Sequence, residues 1–203
     1  AYFLCPFRFR WILLLLSSYV FYAWWKLEYL VLILFSTTVT YLTGLVIHAA
    51  KTKREKQIHL GLAVAINLGI LFSFKYLNFF GASIRNLLQM IGHPIELGSL
   101  ELLLPVGISF YTFQALSYSV DLYRGEREPE RHFGIFALYI AFFPQLVAGP
   151  IERSTKLLPQ FRESFTFDFD RIVSGLQLML MGFFKKLVIA DRSGVILGGQ
   201  MSG

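Results

Sequence analysis

Six stretches of this chain, 11–25, 29–50, 57–74, 102–120, 133–151 and 172–184, run for 13 to 22 residues without an aspartate, glutamate, lysine or arginine. Crossing a hydrocarbon core of about 30 Å takes roughly 20 helical residues, because a helix satisfies its own backbone hydrogen bonds where no water can. The composition agrees: 55% of residues are hydrophobic and 16% charged, against about a quarter charged in soluble domains. Mean hydropathy is +0.56. Disorder, a collagen-like fibre and a small secreted scaffold are excluded. The chain is therefore expected to be all-α, a polytopic transmembrane helical bundle with re-entrant or interfacial helices, forming one membrane domain over 1–203.

The runs differ in how they end. The first follows Arg8 and Arg10 and closes on Ala23-Trp24-Trp25, which favours a retained anchor over a cleaved signal peptide. The second is closed by Lys51, Lys53, Arg54 and Lys56, the densest basic cluster, which places that loop in the cytoplasm. The third stops at Lys75, and 76–91 mixes aromatics with Asn78, Arg85 and Asn86 as a helix lying in the interface does, until His93-Pro94 breaks it. Prolines mark the fourth run at Pro105 and the fifth at Pro144 and Pro150. If every run crossed, Arg153, Lys156, Arg162 and Arg171 would fall outside, against the positive-inside rule, so the Pro144 stretch is expected to dip in and return. The sixth run reaches 190 if Lys185 and Lys186 snorkel.

The net charge of +6 sits in short basic clusters beside apolar runs, the pattern of loops facing anionic lipid, and gives no nucleic-acid footprint. The single cysteine, Cys5, excludes an intramolecular disulfide.

Polar residues inside the runs are the candidates for function. At 100° per residue, Phe110, Gln114, Ser117, Asp121 and Arg124 fall in a stripe roughly 80° wide. Such a face must turn to protein or to a water-filled cavity. It serves either as interhelical glue, with Asp121 paired to Arg124, or as the lining of a substrate path. Gln145 beside Pro144, the Ala148-Gly149-Pro150 backbone and Arg153 form either a broken helix able to hold an anionic or thioester-linked donor, or a tight turn with a snorkelling arginine. The four histidines, His48, His59, His93 and His132, all sit at the edges of runs. No nucleophile elbow, phosphate-binding glycine loop or metal-ligand spacing is present, so no metal is expected.

Three blocks carry a resemblance. Leu104-Pro105-Val106-Gly107-Ile108-Ser109-Phe110-Tyr111-Thr112-Phe113-Gln114, continued by Ser117-Tyr118 and Asp121-Leu122-Tyr123-Arg124-Gly125, is similar to the signature of the membrane-bound O-acyltransferases in their alginate O-acetyltransferase branch. Phe142-Phe143-Pro144-Gln145-Leu146-Val147-Ala148-Gly149-Pro150-Ile151 and Gly182-Phe183-Phe184-Lys185-Lys186-Leu187-Val188-Ile189-Ala190-Asp191 resemble the same family, in its order.

The resemblance implies a multi-pass protein of the bacterial inner membrane whose helices enclose a funnel. It implies acetyl transfer from acetyl-CoA or another thioester to a hydroxyl of an exported polysaccharide such as alginate, or to periplasmic acetyltransferase partners. Besides the bilayer and these acceptors no nucleic-acid partner is expected, and no bound cofactor. The family's catalytic histidine acts as general base and lies in a context that none of the four histidines matches. The resemblance thus implies the N-terminal part of a larger fold, with the catalytic histidine beyond Gly203. Gln114, Asp121, Gln145 and Arg153 are the funnel-lining candidates. A D-alanyl transferase of the teichoic acid type, a channel or transporter, and a purely structural subunit are the alternatives.

Overall fold

A computed structural model describes residues 2–91, 107–146, 149–150 and 152–191. Among the described residues every regular element is helical. They fall into two units, 1–163 and 164–203.

Among the described residues the first unit holds seven α-helices after a 3-10 turn at Tyr2–Leu4. Helix α1 (Phe7–Trp25) and helix α2 (Leu27–Ala49) are separated by one extended residue, Lys26, which caps both. Helix α3 (Lys53–Met90) starts in a capping box: Thr52 Oγ1 accepts from the Glu55 N–H at 3.2 Å, and Glu55 Oε2 accepts from the N–H groups of Thr52 at 3.2 Å and Lys51 at 3.0 Å. Two helices, Leu27–Ala49 and Lys53–Tyr76, are long and apolar enough to cross a membrane.

The third run and the expected interfacial helix 76–91 are one element, because α3 continues unbroken through Lys75 to Met90. One lysine does not end a helix, since it is a good helix former and its stem follows the helix surface. The break expected at His93-Pro94 lies outside the described residues.

Helices α2, α3 and α4 (Ile108–Arg124) pack on one another, and α2 also packs against α1 and α5 (Phe133–Ala141). The α2–α3 seam is polar at its centre. Ser36 Oγ donates to Asn67 Oδ1 at 2.7 Å, and Asn67 Nδ2 donates to Thr40 Oγ1 at 3.1 Å and to the Ala63 carbonyl at 2.9 Å. Asn67 thereby has both ends of its amide paired while 1% exposed. The α2–α4 seam is close at Gly44, where a Cβ would lie 2.9 Å from Leu122 Cδ1 and 3.0 Å from Tyr118 Cε1.

The fifth run is broken. Helix α5 spans nine residues, about 13.5 Å at 1.5 Å per residue. Phe142 is extended, and a four-residue helix α6 (Phe143–Leu146) follows. Ile135 to Ala141 are buried without interruption, so α5 is apolar all round and enclosed by its neighbours α1, α2, α4 and α7 (Ser154–Gln160). The outward sides of α1, α2 and α3 expose large apolar residues, including Leu16, Val20, Val31, Phe35, Leu62 and Phe72. A unit with a polar seam inside and apolar side chains outside suits lipid as its surroundings.

The second unit contains α8 (Phe169–Phe184), capped by Asp168, whose side chain accepts from the Arg171 N–H at 3.1 Å. It continues as a π-helical turn, Lys185–Ala190.

Candidate functional site

The first resembling block is built around α4, and its glycines set both ends of that helix. Gly107 caps the N-terminus with φ +77, a left-handed conformation. A Cβ there would also lie 2.8 Å from Tyr22 Oη and 2.9 Å from the Leu146 carbonyl oxygen. Gly125 closes the other end at φ +74, its N–H donating to Leu122 O at 3.1 Å while the Glu126 N–H donates to Asp121 O at 3.0 Å. That is a Schellman terminus.

Between these ends Gln114 and Asp121 of the polar stripe are buried, Phe110 and Ser117 are half-buried and Arg124 is exposed. Gln114 is 2% exposed, and its Nε2 donates to the Tyr139 carbonyl of α5 at 2.8 Å. The Tyr139 carbonyl needs such a donor because α5 ends at the extended Phe142. Proline has no N–H to offer the Ile140 carbonyl one turn back, and the Phe143 N–H donates to Ser18 Oγ at 3.4 Å rather than to Tyr139. The last turn of α5 is thus left with carbonyls that a side chain from α4 must serve.

Gln145 closes the turn that follows. Its Nε2 donates to the Pro150 carbonyl at 2.8 Å, and its own carbonyl accepts from the Gly149 N–H at 2.9 Å. A Cβ on Gly149 would sit 2.7 Å from Gln145 Cα, so the turn requires glycine. Val147, Ala148 and Ile151 lie outside the described residues.

Asp121 is 5% exposed. The expected partner, Arg124, is not the one it has: Asp121 Oδ2 accepts from Ser154 Oγ of α7 at 2.9 Å. Arg124 instead pairs with Glu126 at 3.6 Å on the exposed side of the α4 terminus. Arg124 is the last residue of α4, exposed there beside Glu126 of the turn that follows.

Around this pair the linker 125–132 is stitched to α4 and α7, a feature sequence reasoning missed. Arg127 Nη1 donates to the Ser154 carbonyl at 2.7 Å and its guanidinium lies 5.5 Å over the Tyr118 ring. Tyr118 Oη accepts from the Glu130 N–H at 2.9 Å. The buried Glu130 carboxylate accepts from Arg162 and from the His132 N–H. A charge run normally signals a solvated loop, so nothing in the composition of 124–131 marked Glu130 as buried.

Arg153, the fourth candidate, is the exposed N-cap residue of α7. His132 caps α5, its Nδ1 accepting from the Ile135 N–H at 3.2 Å, with its ring edge-on to Trp11 at 4.8 Å. His48 is exposed and His59 half-buried, and His93 lies outside the described residues. Among the described residues no three metal-ligating side chains come together.

Among the described residues three buried polar atoms, Tyr111 Oη, Thr112 Oγ1 and Gln145 Oε1, have no hydrogen-bond partner. A cavity of about 560 Å³ runs along α1, lined by Leu13, Leu16, Val20, Trp24 and Phe143 among others. It contains none of the four candidates and is almost wholly apolar.

An all-helical unit with buried amides and carboxylates between helices and apolar side chains outside defines a helical membrane protein. Comparison with known proteins gives its relatives. The chain is 41% identical over 192 residues to a probable alginate O-acetylase AlgI of Azotobacter vinelandii, covering 94% of this chain and 38% of that protein. It is 40% identical over 197 residues to the protein of the same description in Pseudomonas putida, covering 96% and 40%. To a peptidoglycan O-acetyltransferase of Helicobacter pylori it is 32% identical over 206 aligned positions, covering 89% and 38%. No family model and no solved structure matches the chain. The chain is thus similar to alginate O-acetylases over nearly its whole length. It spans 36–40% of the length of the alginate O-acetylases it matches.

Proposed function

We propose that this chain forms the α1–α8 part of a bacterial inner-membrane O-acetyltransferase that moves an acetyl group from a thioester, acetyl-CoA or an equivalent donor, to or toward a hydroxyl of an exported polysaccharide such as alginate. The observation that carries the reading is the 40–41% identity to alginate O-acetylases over nearly the whole chain. The chain crosses the membrane several times, and the broken α5–α6 segment enters and returns on the same side. Its nine-residue α5 supports that topology, being too short to cross and buried on all sides.

Acetyl transfer needs a base to take the hydroxyl proton as oxygen attacks the thioester carbonyl. Among the described residues no imidazole is placed for this. His132 is spent on a helix cap, and His48 and His59 sit at helix ends near the basic loop. None of these three imidazoles is proposed as the general base, and the helices described here supply a wall that excludes water and spares the donor from hydrolysis. Gln114 and Asp121 hold that wall together across α4, α5 and α7, Gln145 turns an acceptor oxygen toward the path, and Arg153 sits at its mouth. Periplasmic acetyltransferases are the partners that would receive or pass on the acetyl group.

The test is a chimera in which the matching segment of an alginate O-acetylase is replaced by this chain in a strain lacking its own enzyme. Acetylated alginate is expected to return, with acetyl-CoA supporting labelling of membranes and an aminoacyl carrier protein failing to do so. A chimera that accumulates in the membrane but restores no acetylation would refute the assignment.

A further inference from the structure

Helix α8 was expected to continue the series of spans, with Lys185 and Lys186 snorkelling. Its structure argues otherwise. At 100° per residue, Phe169, Ile172, Val173, Leu176, Met179, Leu180, Phe183 and Phe184 fill one continuous arc with no polar member, and Asp170, Arg171, Ser174, Gly175, Gln177 and Gly182 occupy the opposite side. Leu178 and Met181 are the two apolar residues on that polar side. No residue of α8 is buried, and Leu176, Leu180 and Phe183 are 60%, 72% and 63% exposed. The polar residues are spread along the helix from its first turn to Gln177, so a crossing would carry Gln177 toward the bilayer centre. The sixteen α-helical residues before Lys185 extend about 24 Å, short of the hydrocarbon thickness, so a crossing would have to carry the two lysines of the π-helical continuation into the hydrocarbon. At the start of that continuation Lys185 and Lys186 suit an anionic surface instead. At the other end Arg171 is drawn back by Asp168 at 3.8 Å and lies over the Phe165 ring at 5.7 Å, which leaves the Lys185-Lys186 end as the more strongly basic.

We propose that α8 lies in the plane of the membrane, its Phe/Leu/Ile arc sunk among acyl chains at the headgroup boundary, with Lys185 and Lys186 bound to the phosphates of anionic phospholipid. The inference rests on the chain being a membrane protein, and not on the acetyl-transfer reading. In this geometry α8 is a surface float that fixes the depth of the segments joined to it. The segment 172–184 contains no charge, so its one-sidedness shows only in helical projection.

The test uses the whole chain with Cys5→Ser and single cysteines at Val173, Leu176, Leu180 and Phe183, each carrying a bimane fluorophore, in phosphatidylcholine vesicles with and without phosphatidylglycerol. Phospholipids brominated at different acyl positions report depth, and iodide reports contact with water. All four labels are expected at one shallow depth, about 5–10 Å below the headgroup boundary, while labels at Ser174 and Gln177 are quenched by iodide. Depth that changes steadily from 173 to 183 would mean a crossing helix and overturn the proposal. Protection from both quenchers would mean a protein-covered helix and overturn it as well. Lys185→Gln with Lys186→Gln is expected to make the four labels shallower only when phosphatidylglycerol is present; no difference between the two vesicle types would remove the anionic-lipid part. A chain that stays with the aqueous fraction would refute the membrane reading itself.

Discussion

Single residues fix the geometry on which the candidate site depends. Gly107 and Gly125 share a left-handed backbone but not an environment: Leu146 and Tyr22 crowd the first, whereas nothing lies within 4 Å of the second. Gly125→Ala is therefore expected to cost only the conformational penalty, about 1–2 kcal/mol. Gly107→Ala adds overpacking of about 1–3 kcal/mol and should reduce the folded yield in detergent far more, a ranking that thermal unfolding of the two variants would check. Gln114→Leu removes the donor to Tyr139 O and is expected to destabilise by about 1–2 kcal/mol. Asp121→Ala and Ser154→Ala should each lose stability but combine less than additively, because either change alone breaks their shared hydrogen bond. Additive losses in that double-mutant cycle would mean the Asp121–Ser154 bond is not formed in the membrane. The inward setting of Gln114 and Asp121 was legible from 100° spacing. Their partners were not, since Ser154 and Tyr139 are brought in by helices far along the chain, and sequence offered only the neighbour Arg124.

At the scale of elements, the charge-free runs placed most helices well: 29–50 became Leu27–Ala49, and the first run gained one turn before Trp11. The misplaced boundary at Lys75 came from treating a charge as a stop when only the hydrocarbon, not the helix, ends there. The α3 start is readable in Thr52-Lys53-Arg54-Glu55, a capping-box pattern. The α2–α3 seam gives a check. Asn67→Leu strands Ser36 and Thr40 and is expected to cost about 1–2 kcal/mol, within the range of hydrogen bonds between membrane helices, whereas Leu68→Ala on the exposed side should cost much less.

For the whole molecule, lipid rather than water explains both surfaces at once, the apolar outside and the amide- and carboxylate-bearing seams inside. The measurement that tests this most directly is a nitroxide scan of α4 in liposomes, on a Cys5→Ser background, reading oxygen and aqueous nickel accessibility at each position from 108 to 124. Oxygen accessibility should rise and fall with a helical period, highest near Phe113, which is 48% exposed, and lowest at Ala115, Tyr118 and Leu122, with Gln114 and Asp121 on the shielded side. A scan shifted by half a turn, so that Gln114 and Asp121 meet lipid, or one in which nickel reaches the Phe113 side freely, would contradict it.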